Sequence, residues 1–562
     1  MRTFVPEDLD VDSAKDVANL YEKLETEELA PTAEALRNWL LRWSELDSVL
    51  MEVSARRYVK MTCDTRDPEA AKAYSTFVEQ ISPVESEYQD KLNRKLMAHP
   101  ALSELEPEFG TFFRAVRVSL ELFRPENIPL AVEEQKEIQA YQKITGGMAV
   151  EYEGQTRTLQ QMSKYLESTD RARREDAWKK IQERRLRDKD ALDLAYDKLF
   201  KIRNEQAKNA GCQDFIEYIF KAKNRFDYTP EACKTFHQSI EDLVLPLERK
   251  LYERKAKLMG LERLRPWDTS CDALSRAPLK PFETGEELIE KCSRIYEKLD
   301  PRAGKWIRQM QAEKLIDPDS RLGKAPGGYQ IGFDESRKPF IFMNAAGADH
   351  DIYTLLHEAG HSFHQFGMAG QPIAAFRDIP SEFAEVASMS MELIGMTHIS
   401  EFYPAEADAK RSRLNELEEV ISLFPWVASI DSFQHELYSR PDHTAKDREE
   451  IWKGIMDRYD AGIDYSGFES VRTNLWQKQL HLFECPFYYV EYGIAQLGAL
   501  QVWANFKRDP QKAFDQLFAA EALGSSRPLP ELFEAAGIKF DFSATTMEPL
   551  VCAIWEEFEK LG

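Results

Sequence analysis

Apolar residues recur at three- and four-residue steps along most of this chain, which is the period of an α-helix with one buried face. In residues 32–62 they are mostly leucine and tryptophan, and they follow Thr32, a residue type that caps helix starts. Residues 69–97 and 170–209 repeat the pattern. The sequence therefore predicts a mostly α-helical fold.

Strand patterns are scarce, and the clearest lie between residues 326 and 347. Two short apolar runs, YQIGF at 329–333 and PFIFM at 339–343, are joined by the polar, turn-like segment DESRK. They predict a hairpin or two strands of a small sheet. An edge strand at this position could pair with an extended peptide through backbone hydrogen bonds, although an ordinary structural hairpin fits the pattern as well.

The division of the chain into domains is only weakly marked. The sequence has no internal repeat and no low-complexity linker, but a long charged helical pattern ends at Ala210-Gly211, and glycine is a common helix terminator. We therefore expect an N-terminal helical lobe at residues 1–210 and a lobe with the functional site at residues 211–562.

The charge balance limits the classes of partner. The chain carries 74 basic and 97 acidic residues, a formal net charge of −23. This balance argues against nucleic acid or an anionic membrane as the main partner. The charge-rich stretch RARREDAWKKIQERRLRDKD within residues 170–209 is accordingly interpreted as a solvated helix face.

Composition and cysteine usage indicate a soluble enzyme in a reducing compartment. Apolar residues make up 43% of the chain and charged residues 30%, which is typical of globular proteins. The seven cysteines are scattered and include no CxxC pair, a pattern typical of thiols rather than a disulfide framework. The acidic first residues lack the apolar segment of a secretory signal, and no apolar run approaches the ~18 residues of a membrane span. We therefore predict a cytoplasmic protein.

The most informative motif is HExxH at residues 357–361. His357 and His361 are four residues apart, so on a helix their imidazoles share a face and can bind one zinc ion. Glu358, next to the first histidine, could take a proton from a water polarised by the metal, which is the general-base role in metallopeptidases. The alternative is a helix that happens to carry two histidines. A buried cluster of this kind is costly without a metal or strong hydrogen bonds, which favours zinc.

A catalytic zinc ion usually takes a third protein ligand. The segment PSEFAEVAS at 380–388 supplies two candidates, Glu382 and Glu385, on a predicted helix with Ser381 as a possible cap. Spacing favours Glu385 only weakly, and a solvated glutamate remains the alternative for each. Ser388 and Asp351 could support a ligand by hydrogen bonding or could simply cap helices or face solvent.

The two segments HEAGHSFH and PSEFAEVAS together resemble the thimet oligopeptidase and oligoendopeptidase F family of zinc peptidases. In that family HExxHxxH is followed by a helix with the third ligand, and the resemblance assigns this ligand to Glu385 and a substrate-binding position to His364. Three other segments are similar to the bacterial oligoendopeptidase and Pz-peptidase branch: FDYTPEAC at 226–233, LRPWD at 264–268 and PFYYVEYGIAQ at 486–496. The resemblance implies Zn²⁺, a two-lobed helical fold with a deep substrate channel, and a small β-sheet near the metal helix.

A second informative stretch, at residues 481–492, is rich in aromatic residues. Peptide hydrolysis places negative charge on the carbonyl oxygen, so a peptidase needs hydrogen-bond donors aimed at that oxygen. The resemblance carries this role to His481, Tyr489 and Tyr492, and a substrate-binding role to Tyr488. Cys485 stands where the thimet branch has another tyrosine, and without the metal motif the stretch would be interpreted as a core aromatic stripe.

Taken together, the motifs and the resemblance predict a zinc-dependent endopeptidase. The resemblance implies that it hydrolyses internal bonds of short oligopeptides. A helical metallocarboxypeptidase is one alternative, and it would need a positive group to hold the substrate's C-terminus. A non-catalytic, zinc-containing peptide-binding scaffold is another, but it would have no need of Glu358. The remaining histidines, at positions 99, 237, 350, 398, 435 and 443, show no ligand-like spacing and receive no function.

Overall fold

Helices dominate the structure, a computed structural model that describes residues 2–562. The α-helices are α1 (Ala14–Thr26), α2 (Ala33–Cys63), α3 (Pro68–Thr76), α4 (Ser82–Met97), α5 (Leu102–Leu122), α6 (Asn127–Gly146), α7 (Leu159–Ser163), α8 (Arg171–Arg187), α9 (Lys189–Asn209), α10 (Phe215–Ala222), α11 (Pro230–Ser239), α12 (Leu245–Leu258), α13 (Gly285–Leu299), α14 (Pro301–Ala312), α15 (Asp349–Gly367), α16 (Ser381–Gly395), α17 (Glu406–Tyr438), α18 (Ala445–Arg458), α19 (Glu469–Thr473), α20 (Leu480–Glu484), α21 (Tyr489–Arg508), α22 (Pro510–Glu521), α23 (Leu529–Ala535) and α24 (Ala544–Leu561). The strands are β1 (Ala149–Tyr152), β2 (Gln155–Thr158), β3 (Ile316–Asp319), β4 (Tyr329–Phe333) and β5 (Lys338–Ala345). The mostly α-helical prediction is confirmed.

The helix boundaries follow local chemistry. Helix α2 begins directly after Thr32, whose hydroxyl accepts a hydrogen bond from the backbone N–H of Ala35 at 3.3 Å. The helical pattern at 69–97 is interrupted by a π-helical turn at Phe77–Ile81, just before Pro83. Proline cannot donate a backbone hydrogen bond, so the ladder shifts there.

The predicted hairpin is present as β4 and β5, which pair antiparallel with Tyr329 opposite Phe342. A third strand, β3, pairs parallel with β5, and the sheet order is β3-β5-β4. The sequence did not predict β3, because its four residues, IDPD, lack any apolar alternation. Strand β4 lies at an edge of this sheet.

The structure contains two compact units, each assembled from separate segments. The first unit comprises Met1–Leu120, Lys280–Ser412 and Ala495–Phe540; the second comprises Glu121–Leu279, Arg413–Ile494 and Asp541–Gly562. Both draw on residues beyond position 210. The predicted division into an N-terminal helical lobe at 1–210 and a lobe with the functional site at 211–562 stays a prediction.

Each unit has its own buried apolar residues. In the first unit, α1, α2, α4 and α5 pack around Trp39 and Phe109, and Phe376 stacks on the Phe109 ring. The second unit contains a smaller cluster around Met162 and Ala177. Within residues 2–562, no helix combines the length and apolarity needed to cross a bilayer.

Candidate metal centre

The HExxH motif lies in the middle of α15, in the first unit. This helix packs against β4, β5 and α16, and its buried face includes Leu355, Leu356 and Ala359. Because the chain is helical here, the rings of His357 and His361 lie on one face, with centroids 4.8 Å apart. Both rings remain partly exposed, so a cation could reach them.

Helix α16 brings Glu385 to the two histidines. Glu385 Oε2 lies 3.3 Å from His357 Nε2 and 3.6 Å from His361 Nε2. Glu382 is buried but does not belong to this group of potential ligands. The predicted cap Ser381 is wrong, since Pro380 occupies the cap position and Ser381 is the first helical residue.

The spacing of these three side chains fits a small divalent cation. A tetrahedral ion with ligand bonds of about 2.0–2.2 Å places its ligand atoms about 3.3–3.6 Å apart. The measured separations lie within that range, and all three ligand atoms lie within 4.8 Å of one another. Two imidazoles and one carboxylate form the set of three protein ligands that is typical of catalytic zinc.

A glycine allows α15 and α16 to approach closely at this point. A Cβ atom on Gly360 would lie 2.6 Å from Ser388 Cα and 2.8 Å from the Ala387 carbonyl oxygen, closer than real Cβ contacts. Any larger residue would therefore push the helices apart beside Glu385. The motif's second variable position thus sets the separation between the histidines and the glutamate.

Mutual attraction sets the protonation of the three candidate ligands. Burial raises the pKa of Glu385, but His361, His357 and a Ser388 hydrogen bond outweigh it and lower that pKa to about 2. Burial lowers the pKa of His361 to about 4. Burial also favours the neutral form of His357. The carboxylates of Glu392 and Glu385 outweigh this effect and hold the pKa of His357 well above its usual range.

Two residues support the candidate ligands by hydrogen bonds. Ser388 Oγ donates a hydrogen bond to Glu385 Oε2 at 3.0 Å. This contact agrees with the interpretation of Ser388 as a residue that supports a ligand. Glu392 contacts His357 Nδ1, and the sequence reasoning missed it. The sequence did contain an indication of this role, because Glu392 follows Glu385 by seven residues and so lies on the same face of the helix. Asp351 instead caps the start of α15, accepting from the backbone N–H groups of Ala346 and Ala348.

Glu358 is a buried carboxylate, 8% exposed, on the helix that carries the two candidate histidine ligands. Burial raises its pKa to about 7; His357 and a hydrogen bond from the Gln330 backbone oppose the shift. The helix that carries this carboxylate packs against β4, an edge strand of the sheet.

His364 is 1% exposed, and its ring packs edge-on against Phe383. Neither ring nitrogen has a hydrogen-bond partner among the described residues, and burial lowers its pKa to about 3. This position favours a packing role for His364, and its predicted contact with substrate stays a prediction.

The four predicted aromatic site residues form one cluster in the second unit. The His481 ring lies 4.9 Å from that of Tyr489 and 5.8 Å from those of Tyr488 and Tyr492. Tyr489 and Tyr492 stand three residues apart on α21, so they share a face as expected. Burial raises the pKa of Tyr489 to about 12, which keeps its hydroxyl protonated at neutral pH.

A chain of two hydrogen bonds sets the tautomer of His481. Trp426 Nε1–H donates to Gln479 Oε1 at 3.0 Å, and because an indole N–H can only donate, this contact orients the amide. The Gln479 amide N–H then donates to His481 Nδ1 at 2.6 Å. Burial, with help from Lys223, lowers the pKa of His481 to about 4, so the ring is neutral. Its proton must therefore lie on Nε2, which becomes a hydrogen-bond donor.

This site and fold define a class: mostly helical proteins in which an HExxH helix and a following helix bring two histidines and a glutamate together. The chain belongs to peptidase family M3, since the model for that family matches residues 164–550 and the model for the M3 N-terminal domain matches residues 7–123.

Similar proteins carry related names. An oligoendopeptidase F homolog from Borreliella burgdorferi is 24% identical over 66% of this chain and 65% of its own length. The homolog from Lactococcus lactis is 31% identical over 27% of this chain and 24% of its own length, so the chain spans less than two thirds of these two relatives.

Solved structures match along nearly the whole chain. A structure of Pz peptidase A with an inhibitor is 27% identical, with a TM-score of 0.89 over 99% of this chain and 98% of its own. An oligoendopeptidase F structure from Enterococcus faecium shares the fold at 16% identity, with a TM-score of 0.63 over 98% and 96% of the two chains.

Proposed function

We propose that this protein is a zinc-dependent endopeptidase that hydrolyses internal bonds of short oligopeptides. The observation that carries the proposal is the convergence of His357, His361 and Glu385 on one point, with Glu358 on the next position of the same helix. A purely structural zinc site would more often use four protein ligands and has no use for an adjacent base.

Under this proposal, His357, His361 and Glu385 hold the zinc ion. When bound, zinc supplies Lewis acidity that polarises the scissile carbonyl and makes water more acidic. Glu392 and Ser388 orient the first histidine and the glutamate, so that the ligands need little rearrangement.

Glu358 acts as the base. Its carboxylate accepts a proton from the attacking water and delivers that proton to the nitrogen of the leaving amine. Its burial supports this role because a carboxylate in a low-dielectric site is a stronger proton acceptor than one in bulk water.

His481, Tyr489 and Tyr492 donate hydrogen bonds to the oxygen of the tetrahedral intermediate. The Nε2–H tautomer of His481 supports this assignment, as does the neutral state of the Tyr489 hydroxyl. Tyr488 is assigned to substrate binding.

The edge strand β4 supports the binding of an extended peptide. Extended peptides commonly bind by adding a strand to the edge of a sheet, and the helix that carries Glu358 packs against this edge strand. The names of the relatives, oligoendopeptidase and oligopeptidase, support internal cleavage of short peptides.

The cysteines support the predicted cytoplasmic location. No disulfide joins cysteines among residues 2–562, which agrees with a reducing compartment.

The deciding experiment is mass spectrometry of products from a mixture of short peptides and folded proteins, with the purified chain in its metal-loaded and chelated forms. We expect internal cleavage of short peptides, including peptides blocked at both termini, loss of cleavage on chelation, and recovery on adding Zn²⁺. A requirement for a free C-terminal carboxylate would instead identify a carboxypeptidase. Zinc binding without any cleavage would identify a peptide-binding scaffold.

A further inference from the structure

A second group of metal-ligating side chains lies buried in the second unit. Helix α11 carries Cys233 and His237, and α17 carries Asp431 and His435. Each pair is four residues apart, so each presents both side chains on one helix face. All four are buried, with exposed fractions of 1%, 2%, 0% and 6% in that order.

His237 holds Asp431 in place. The hydroxyl of Ser432 lies 3.1 Å from His237 Nδ1, and His237 Nε2 lies 2.8 Å from Asp431 Oδ2. A carboxylate can only accept, so Nε2–H donates to Asp431 and Nδ1 accepts from Ser432. Carboxylates that bind a metal are commonly held in place by such hydrogen bonds from outside the coordination sphere.

Some polar atoms of the residues around Cys233 lack a hydrogen-bond partner among the described residues. Asp431 Oδ1 and both ring nitrogens of His435 have no hydrogen-bond partner among the described residues, although all are buried. The rings of Phe220 and Phe487 pack around His435 and offer no polar group. Leaving such atoms unpaired in an apolar interior typically costs ~1–3 kcal/mol each. Binding of a ligand that contacts these atoms would remove this cost.

The geometry fits a cation as that partner. One ligand atom each from Cys233, Asp431 and His435 lies within 4.8 Å of the others. His435 Nε2 and Asp431 Oδ2 are 3.3 Å apart, the separation of two ligands on one zinc ion, but they do not form a hydrogen bond. A thiolate, a carboxylate and a neutral imidazole would also balance the charge of a divalent ion, which a buried site requires.

We propose that Cys233, Asp431 and His435 bind a second zinc ion, which joins α11 to α17, and that His237 orients Asp431. On binding, the Cys233 thiol releases its proton to solvent as the metal–sulfur bond forms. The thiolate and imidazole donors select zinc over Ca²⁺ and Mg²⁺, which prefer oxygen ligands. The site is independent of the proposed peptidase activity.

Cobalt substitution tests the proposal, because the HExxH centre contains no sulfur ligand. Metal-free full-length protein is titrated with Co²⁺ while near-ultraviolet absorption and bound metal are measured. We expect binding of two equivalents of cobalt, and a thiolate-to-cobalt charge-transfer band that accounts for one of them. Cys233→Ser should lose this band and one equivalent of cobalt, whereas Cys271→Ser, a buried cysteine elsewhere in the same unit, should keep both.

The band in the wild-type protein tests whether a thiolate binds the metal, even if a variant fails to fold. Folded wild-type protein without a thiolate band overturns the proposal, and so does a band that persists in Cys233→Ser. Asp431→Asn should lower the affinity of this site for cobalt, measured from the titration of the band, at least about 10-fold. His357→Ala should leave the band unchanged, which separates this site from the HExxH centre.

Discussion

Replacing Gly360 with alanine should damage the metal centre without touching a ligand. The added Cβ would lie 2.6 Å from Ser388 Cα, about 0.8 Å inside the 3.4 Å at which ordinary contact begins. The obstruction is backbone, so α15 and α16 must separate by roughly that amount. Glu385 is one turn from Ser388 on α16, and it would move with its helix.

The expected cost has two parts. Overpacking a close helix contact destabilises a protein by ~1–3 kcal/mol, partly offset by the ~0.5–1 kcal/mol that alanine gains over glycine within a helix. A shift near 0.8 Å also exceeds the roughly 0.2 Å tolerance of zinc–ligand distances. We therefore expect the metal-free protein to lose about 1–2 kcal/mol of unfolding free energy, and zinc affinity to fall at least about 10-fold.

Two measurements check this prediction. Denaturant unfolding of the chelated protein reports stability, and the free zinc concentration that restores half of the peptidase activity reports affinity at the HExxH centre. Gly454→Ala is the matched control, since Gly454 lies within α18 with no heavy atom within 4 Å of its added Cβ. It should keep zinc affinity and gain up to ~1 kcal/mol. Wild-type zinc affinity in Gly360→Ala would refute the argument that this glycine sets the ligand separation.

Three further substitutions test individual roles. Glu358→Gln should keep its zinc, measured by elemental analysis, but lose ~10²–10⁴-fold in kcat because the amide cannot accept a proton; near-normal turnover would exclude it as the base. Glu392→Gln should weaken zinc binding ~10–100-fold in metal-buffered activity titrations, and unchanged binding would show that its contact with the first histidine is dispensable. Gln479→Glu should place the His481 proton on Nδ1 and remove its Nε2 donor, lowering kcat ~10²-fold with KM little changed; an altered KM at constant kcat would contradict the donor role.

Local sequence patterns were enough to predict several elements of this protein. The helical period and the Thr32 cap predicted the start of α2, and the two apolar runs around DESRK predicted β4 and β5. The four-residue spacing of His357 and His361 predicted their common face. These features depend on neighbours within about one helical turn or one hairpin, so the pattern along the chain contains the physical information that determines them.

Features that depend on distant contacts were settled only by tertiary structure. The strand β3 has no pattern of its own and exists because β5 offers it a partner. Spacing could not separate Glu385 from Glu382, whereas the approach of α16 to α15 places Glu385, and not Glu382, in the group of potential ligands.

Two further features also depend on contacts between residues that are distant in sequence, so the sequence did not predict them. The proton position on His481 depends on Trp426, 55 residues earlier in the numbering. The buried group of Cys233 and Asp431 joins helices nearly 200 residues apart in sequence. The sequence determined which faces of these helices carry ligating side chains, but the packing of the helices decided which of those faces meet, because packing depends on side-chain volumes throughout each unit.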